Sequence, residues 1–369
     1  MTRLTRMAAA VLSLLLFSGC SPLLHAREVE NLQLVQTVGF DGTVGNVTVS
    51  VSSGAADADA FPVPLAAQGA SIQTAMEHLQ DFSVREELFF AHIRYAAVGE
   101  SAARGGIAPV LDYFERSTQT QLTVPLFVVR GGTARELAVS GGDITAMLSS
   151  LESDTERQGS AHCFTVLEIA ARLNRSGAAL ACAVSPAEPE GSVPDAGDDA
   201  PLALETGYAV LRGDTLCGFL DRGAALGADI LLGFAPQASY VLSDGSGGTV
   251  TVQLRAAKAK LSPRPDGSID IAVHARAGVT ESSGADPADA AMLALLESEL
   301  SRAVKRQVTD AAEASRRLDA DFLELWRVCP AIRGGAPLSG LTFRVQTDCV
   351  LERSYDIYGS AHGEEVSHG

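Results

Sequence analysis

The residue with the most definite chemistry in this sequence is Cys20. Arg3 and Arg6 open the chain, an uncharged apolar run follows from Met7 to Phe17, and Ser18-Gly19-Cys20 closes the segment. A positive start, an apolar stretch shorter than the ~20 residues a spanning helix needs, and small residues ending on cysteine form the pattern of an exported lipoprotein signal. Cleavage between Gly19 and Cys20 leaves a thiol on the new N-terminal residue, where it receives a diacylglyceryl group. Phe17 stands where leucine is commoner, so a plain secretory signal with a coincidental cysteine is the alternative. Each buried methylene contributes about 0.8 kcal/mol, so one acyl chain binds reversibly while two or three hold a protein stably.

No other group of residues spells out a reaction. Glu86 and Glu87 are adjacent, so on a strand their carboxyls point to opposite faces and share no proton. His92, in an apolar stretch, reads as a core histidine. His162 and Cys163 are sequence neighbours, which is not the geometry of a Cys/His dyad. Arg212-Gly213-Asp214 falls where a hairpin needs its turn. Asp244 to Gly248 is glycine-rich, but a strand follows it where a phosphate loop requires a helix N-terminus. The chain has no G-x-S-x-G elbow, H-E-x-x-H pair or EF-hand loop. Cys163, Cys182, Cys217, Cys329 and Cys349 show neither C-x-x-C nor zinc-ligand spacing. Cys329 and Cys349 are expected as buried thiols, with a pair across neighbouring segments as the alternative. Trp326 is expected as a core anchor just past a long helix. The expectation is therefore a protein with no catalytic residue, metal or cofactor.

The elements that must carry these residues follow from periodicity. Leu32 to Phe40 reads as a strand ending at a turn on Asp41-Gly42, with Val47 to Val51 as its hairpin partner. Ser71 caps a helix to Phe82, in which Ile72, Ala75, Met76 and Leu79 share a face. Leu88 to Val98 reads as one buried strand. A helix bearing Ile107, Val110, Leu111 and Phe114 comes next, then a strand from Leu122 to Val129. Helices over Asp143 to Glu156 and Phe164 to Leu173 precede a strand at Leu180 to Val184. Later come hairpins at Gly207 to Phe219 and Ala238 to Leu254, and a strand from Ile269 to Ala275. A long helix starts at Asp286-Pro287 and runs to about Ala314, its stripe Leu293, Leu296, Leu300, Val304 and Val308; one or two strands follow from Leu341 to Ile357.

The fold class expected is mixed α/β to α+β, in several domains. Residues 1–19 form the signal, 20–185 an α/β domain, and 186–201 a proline-rich acidic linker or loop. Residues 202–255 form a hairpin-rich middle part and 256–369 an α+β domain with an antiparallel sheet and the long helix. The 369 residues carry 28 basic and 45 acidic side chains, a net charge of −17. Loss of Arg3 and Arg6 leaves 26 basic residues and a balance of −19. Such a surface repels nucleic acid and anionic lipid headgroups, so nucleic-acid binding is not expected. Beyond Phe17 the apolar runs, such as Val124 to Val129 and Ile230 to Phe234, are too short to span a bilayer.

Several stretches, taken in order, resemble a known family. Behind the lipidation signal stand Arg27-Glu28-Val29-Glu30-Asn31-Leu32 and Gly39-Phe40-Asp41. Then come His92 to Gly99 (HIRYAAVG), Glu100, Ala103, Gly105-Gly106-Ile107, Leu111-Asp112-Tyr113-Phe114 and Arg116. Gly207 to Leu211 with Leu216 to Asp221 supply paired strands, and Glu297 to Gln307 with Asp319 and Asp321 supply the long helix and its exit. The order and spacing resemble the C subunits of nutrient germinant receptors, the Ger(x)C spore germination lipoproteins. Asp319-Ala320-Asp321-Phe322 departs from the pattern in lacking the family's glycines. The resemblance implies a three-domain, non-catalytic subunit on the outer face of the spore inner membrane, acylated (palmitate included) at Cys20. It implies assembly with membrane-embedded A and B subunits and carries over no catalytic residue. A partner face on the N-terminal half, nearest the tether, is expected. A solute-binding lipoprotein of a membrane transporter is the alternative reading, and it requires two similar lobes about a cleft. An envelope hydrolase would require a nucleophile or metal set.

Overall fold

A computed structural model describes residues 32–53, 64–82, 87–139, 144–158, 161–186, 203–234, 237–245, 247–283, 289–333 and 335–352. Two sheets organise them. The first has nine strands and opens as an antiparallel meander of β1 (Leu32–Thr43), β2 (Asn46–Ser53) and β3 (Pro64–Gly69). β1 pairs in parallel with a short β4 (Glu87–Phe89) and then with β5 (Tyr95–Gly99). β6 (Leu126–Val129) and β7 (Ala178–Pro186) extend the parallel run. The hairpin of β8 (Ala203–Arg212) and β9 (Thr215–Leu220) closes the far side antiparallel.

Every residue of β5 and β6 is buried, as parallel strands covered on both faces require. The cover is helical: α1 (Ile72–Phe82), α2 (Glu100–Gly105), α3 (Ala108–Arg116), α4 (Ala134–Val139), α5 (Ile144–Gln158) and α6 (Val166–Ser176). α1 buries Ile72, Ala75, Met76 and Leu79, and Ser71 Oγ accepts the Thr74 N–H at 3.2 Å. α6 starts on a reciprocal capping box between Thr165 and Glu168 and ends on Gly177 at φ 70.

The second sheet holds β10 (Ser239–Ser243), β11 (Thr249–Pro263), β12 (Ser268–Ser282) and β13 (Thr342–Glu352). The first three are antiparallel, and β13 joins β12 in parallel. That reversal is imposed by the helix between them. α7 (Arg222–Leu232) precedes β10, and α8 (Ala290–Leu318) carries the chain back along the sheet so that β13 starts where β12 started. α8 also covers the outer side of β13: the Cys349 N–H donates to Ser301 Oγ at 3.1 Å and the Leu351 N–H to Glu297 Oε1 at 3.0 Å. An edge strand's open N–H groups are thereby used internally.

Several expectations need correction. Leu88 to Val98 is not one strand, because a 3₁₀ turn at Phe90–His92 divides it. His92 on that turn is exposed rather than a core histidine, its ring 5.7 Å from that of Phe89. The β1–β2 turn falls at Val44-Gly45, since β1 continues to Thr43. Asp286 and Pro287 lie outside the described residues; Asp289 caps α8 by accepting the Met292 N–H at 3.2 Å, and the helix continues to Leu318. Trp326 is half-buried, while Phe322, Leu323 and Leu325 supply the core beside it. Residues 202–255, read as one middle part, are shared between the sheets: β8 pairs with β7 across the acidic segment, and β11 runs through position 255.

Candidate functional site

In open α/β sheets ligands bind beyond the carboxyl ends of the parallel strands, so that rim is the first place to look. Here the carboxylates at the ends of β1 and β5 are engaged by the chain itself. Asp41, near the end of β1, accepts the N–H groups of Ala134 at 2.9 Å and Arg135 at 2.8 Å, capping α4. Burial pushes the Asp41 carboxyl up, and the two backbone N–H groups pull against it. Gly99, the last residue of β5, leaves room for no side chain because a Cβ there would run into the Asp41 carboxylate, and one at Gly39 would lie 2.5 Å from Ser50 Oγ. Glu100 accepts the Gly131 N–H at 2.8 Å and pairs with Arg104 at 2.7 Å. The Gly131 N–H contact and Arg104 hold the Glu100 carboxyl below its ordinary range. These residues fix the βα loops.

A second polar cluster lies between the first sheet and α7. Tyr208 on β8 donates to Asp229 on α7, and its oxygen accepts the His162 N–H. Asp229 is 2% exposed, and burial raises its carboxyl well above the ordinary range. Cys163 and Cys182 share a side-chain hydrogen bond, which with burial raises the Cys182 thiol well above its ordinary value. His162 stacks on Phe234 at 4.3 Å. The Tyr208–Asp229 contact ties β8 to α7, and the Cys163–Cys182 contact ties the start of α6 to β7.

Glu324 joins the two halves. It is 6% exposed, has φ 56, and accepts Arg172 of α6 at 3.0 Å. Arg327 also pairs with it, and Arg175 lies 3.9 Å away. Just before it, Asp321 accepts the N–H groups of Leu325 at 2.6 Å and Trp326 at 3.0 Å. Periodicity gives no signal for Glu324, whereas Asp229, a carboxylate inside the apolar run Ala228 to Leu232, is a visible anomaly.

Two concavities open on the N-terminal half. One, of about 410 Å³, is polar and lined by Gln36, Arg94, Thr145, Ser149 and Ser150. The other, of about 1010 Å³, is a groove between α1 and α3.

Cys20 and Gly19 lie outside the described residues, as does Glu86. Glu87 lies on β4 and His92 on the 3₁₀ turn that follows it. Arg212-Gly213-Asp214 makes the β8–β9 turn, with Gly213 at φ 60. In the β10–β11 turn the Gly248 N–H donates to Asp244 at 2.8 Å. Cys163, Cys182, Cys217, Cys329 and Cys349 are all outside disulfides; Cys349 is buried, but Cys329 is only half-buried. Among the described residues no three His, Cys, Asp or Glu side chains gather as a metal site, and no helix is long and apolar enough to cross a membrane.

A family model described as the spore germination protein N-terminal domain matches residues 25–185. A second, described as spore germination B3/GerAC like, C-terminal, matches residues 206–330. Together they take in most of the chain. The chain belongs to the Ger(x)C family of spore germination proteins. This Ger(x)C chain is 35% identical over 96 residues to YfkR of Bacillus subtilis (strain 168), which bears a spore germination name. That match covers 26% of this chain and 21% of YfkR. Its fold matches the crystal structure of the GerBC protein with a TM-score of 0.56 at 14% identity, covering 86% of this chain and 97% of the other. Gly39, Asp41, Gly99 and Glu100, residues on which the sequence resemblance rests, together build one rim of the first sheet.

Proposed function

We propose that this chain is the lipid-anchored, non-catalytic subunit of a nutrient germinant receptor. Cys20 holds it at the outer face of the spore inner membrane, where it assembles with membrane-embedded A and B subunits. The observation that carries this reading is the order of three signals along one chain: a lipidation signal ending at Cys20, then the N-terminal and C-terminal family domains. The rim of the first sheet supports it, because Asp41 and Glu100, at the strand ends where an α/β enzyme places substrate-facing groups, are engaged in capping α4 and the Gly131 turn. The solute-binding alternative expects two like lobes, and the two sheets differ in strand number and order.

Two measurements test it. Cys20→Ala should abolish acyl labelling with palmitate and release the chain from the membrane fraction while leaving its circular dichroism unchanged. Deletion of the gene should remove the response to at least one nutrient. Unchanged nutrient-triggered germination across a nutrient panel would refute the receptor role, and palmitate labelling of Cys20→Ala would refute the anchor.

A further inference from the structure

The groove between α1 and α3 has an apolar floor and a charged rim. Ile72, Met76 and Leu88 are buried along the floor, and Phe90 and Tyr113 reach into it. Val44, on the β1–β2 turn, stands over it at 82% exposure. Single exposed valines are ordinary on protein surfaces, but one continuous with an apolar floor marks a surface that is covered in use. The rim carries three carboxylates, Glu77, Glu87 and Asp112, and one cation, Arg116, which Asp112 already holds at 2.6 Å.

The groove also lies beside the chain's exit toward its anchor. Leu32 is registered opposite Glu87 and Gln33 opposite Leu88, both groove residues. Cys20 is twelve positions before Leu32. At 3.3–3.6 Å per extended residue, the acylated end reaches no farther than about 40 Å from the groove. The groove is therefore confined to the layer next to the bilayer. Its acidic rim disfavours anionic lipid headgroups. An open trough between two helices, apolar below and polar at the edges, is the shape that accepts an amphipathic helix.

We propose that this groove docks an amphipathic helix of a membrane-embedded partner protein, apolar on one face and flanked by lysine or arginine. The proposal rests on the lipid-anchored receptor-subunit reading and adds the face and the chemistry of the contact.

The test uses the full-length acylated chain in its own host, with a photo-crosslinking phenylalanine derivative at Val44 or Gln119 on the groove. Val241, 70% exposed on the second sheet, is the control site. Tagged A and B subunits are the probes. Crosslinks from Val44 and Gln119 to A or B, absent from Val241, support the proposal. The pair Glu77→Lys and Asp112→Lys, both exposed, should cut the crosslink yield about fivefold or more without changing thermal unfolding. Crosslinks to lipid, or none from the groove while A and B still co-purify, overturn the groove and leave the receptor reading standing. Failure of A and B to co-purify with the unmodified chain brings down both.

Discussion

Burial raises the Asp321 carboxyl to about 6, with Glu324 adding to the rise and the N–H groups of Leu325 and Trp326 opposing it. An unfolded aspartate titrates near 3.9, so the folded chain binds this proton more tightly. The stability it contributes is complete below about pH 4 and is lost as pH rises through about 6. Between pH 4 and 7 the native protein should therefore lose on the order of 2–3 kcal/mol relative to Asp321→Asn. Urea titrations followed by the emission of Trp326, the single tryptophan, measure this; parallel pH profiles would refute it. Asp41 is a simpler case. Asp41→Ala removes the acceptor for two N–H groups at the start of α4, and should cost about 1–2 kcal/mol in the same titration. Asp41 and Gly99 stood out in the sequence as motif residues, but their roles did not. The partners that explain them, Ala134 and Arg135, are far along the chain and carry no pattern of their own.

Helices with one wet face were readable and those without one were not. α1, α3 and α8 show apolar stripes at helical spacing because their other faces meet water. α7 buries every residue from Ala224 to Ile230, so its sequence has no stripe to mark it as a helix. Its signature is small residues. A Cβ at Gly227 would run into the Gln307 carbonyl and the Val308 nitrogen, so α7 and α8 meet backbone to backbone. Gly218 on β9 differs: its Cβ would meet only the Leu318 side chain, 2.8 Å from Cδ2. Gly227→Ala should therefore cost at least about 3 kcal/mol and Gly218→Ala about 1 kcal/mol, since a side-chain end yields and a helix backbone does not. Equal losses in chemical denaturation would contradict this account of the crossing. The short α2 and α4 leave no signature because each has too few residues for a period to show, and β3 leaves none because Pro64–Gly69 has no β-branched residue.

The two sheets are held as one body by α7 against α8 and by Glu324 with its arginines. Glu324→Gln leaves Arg172, whose side chain is only 13% exposed, without its counter-charge. It should cost about 3 kcal/mol and pull apart the unfolding transitions read by Trp326 and by far-UV circular dichroism, which should coincide in the native chain. The acidic segment, expected from its composition as a linker or a loop, departs from and returns to neighbouring strands, with Pro186 registered against Ala203. The segment's two ends are thus one strand spacing apart, about 4.8 Å. Doubling the length of such a closed loop costs only about 0.6 kcal/mol. The site is a natural socket for a fluorescent reporter, placed where its cargo need not stretch the sheet and where neither the N-terminal end of β1 nor the α1–α3 groove is altered.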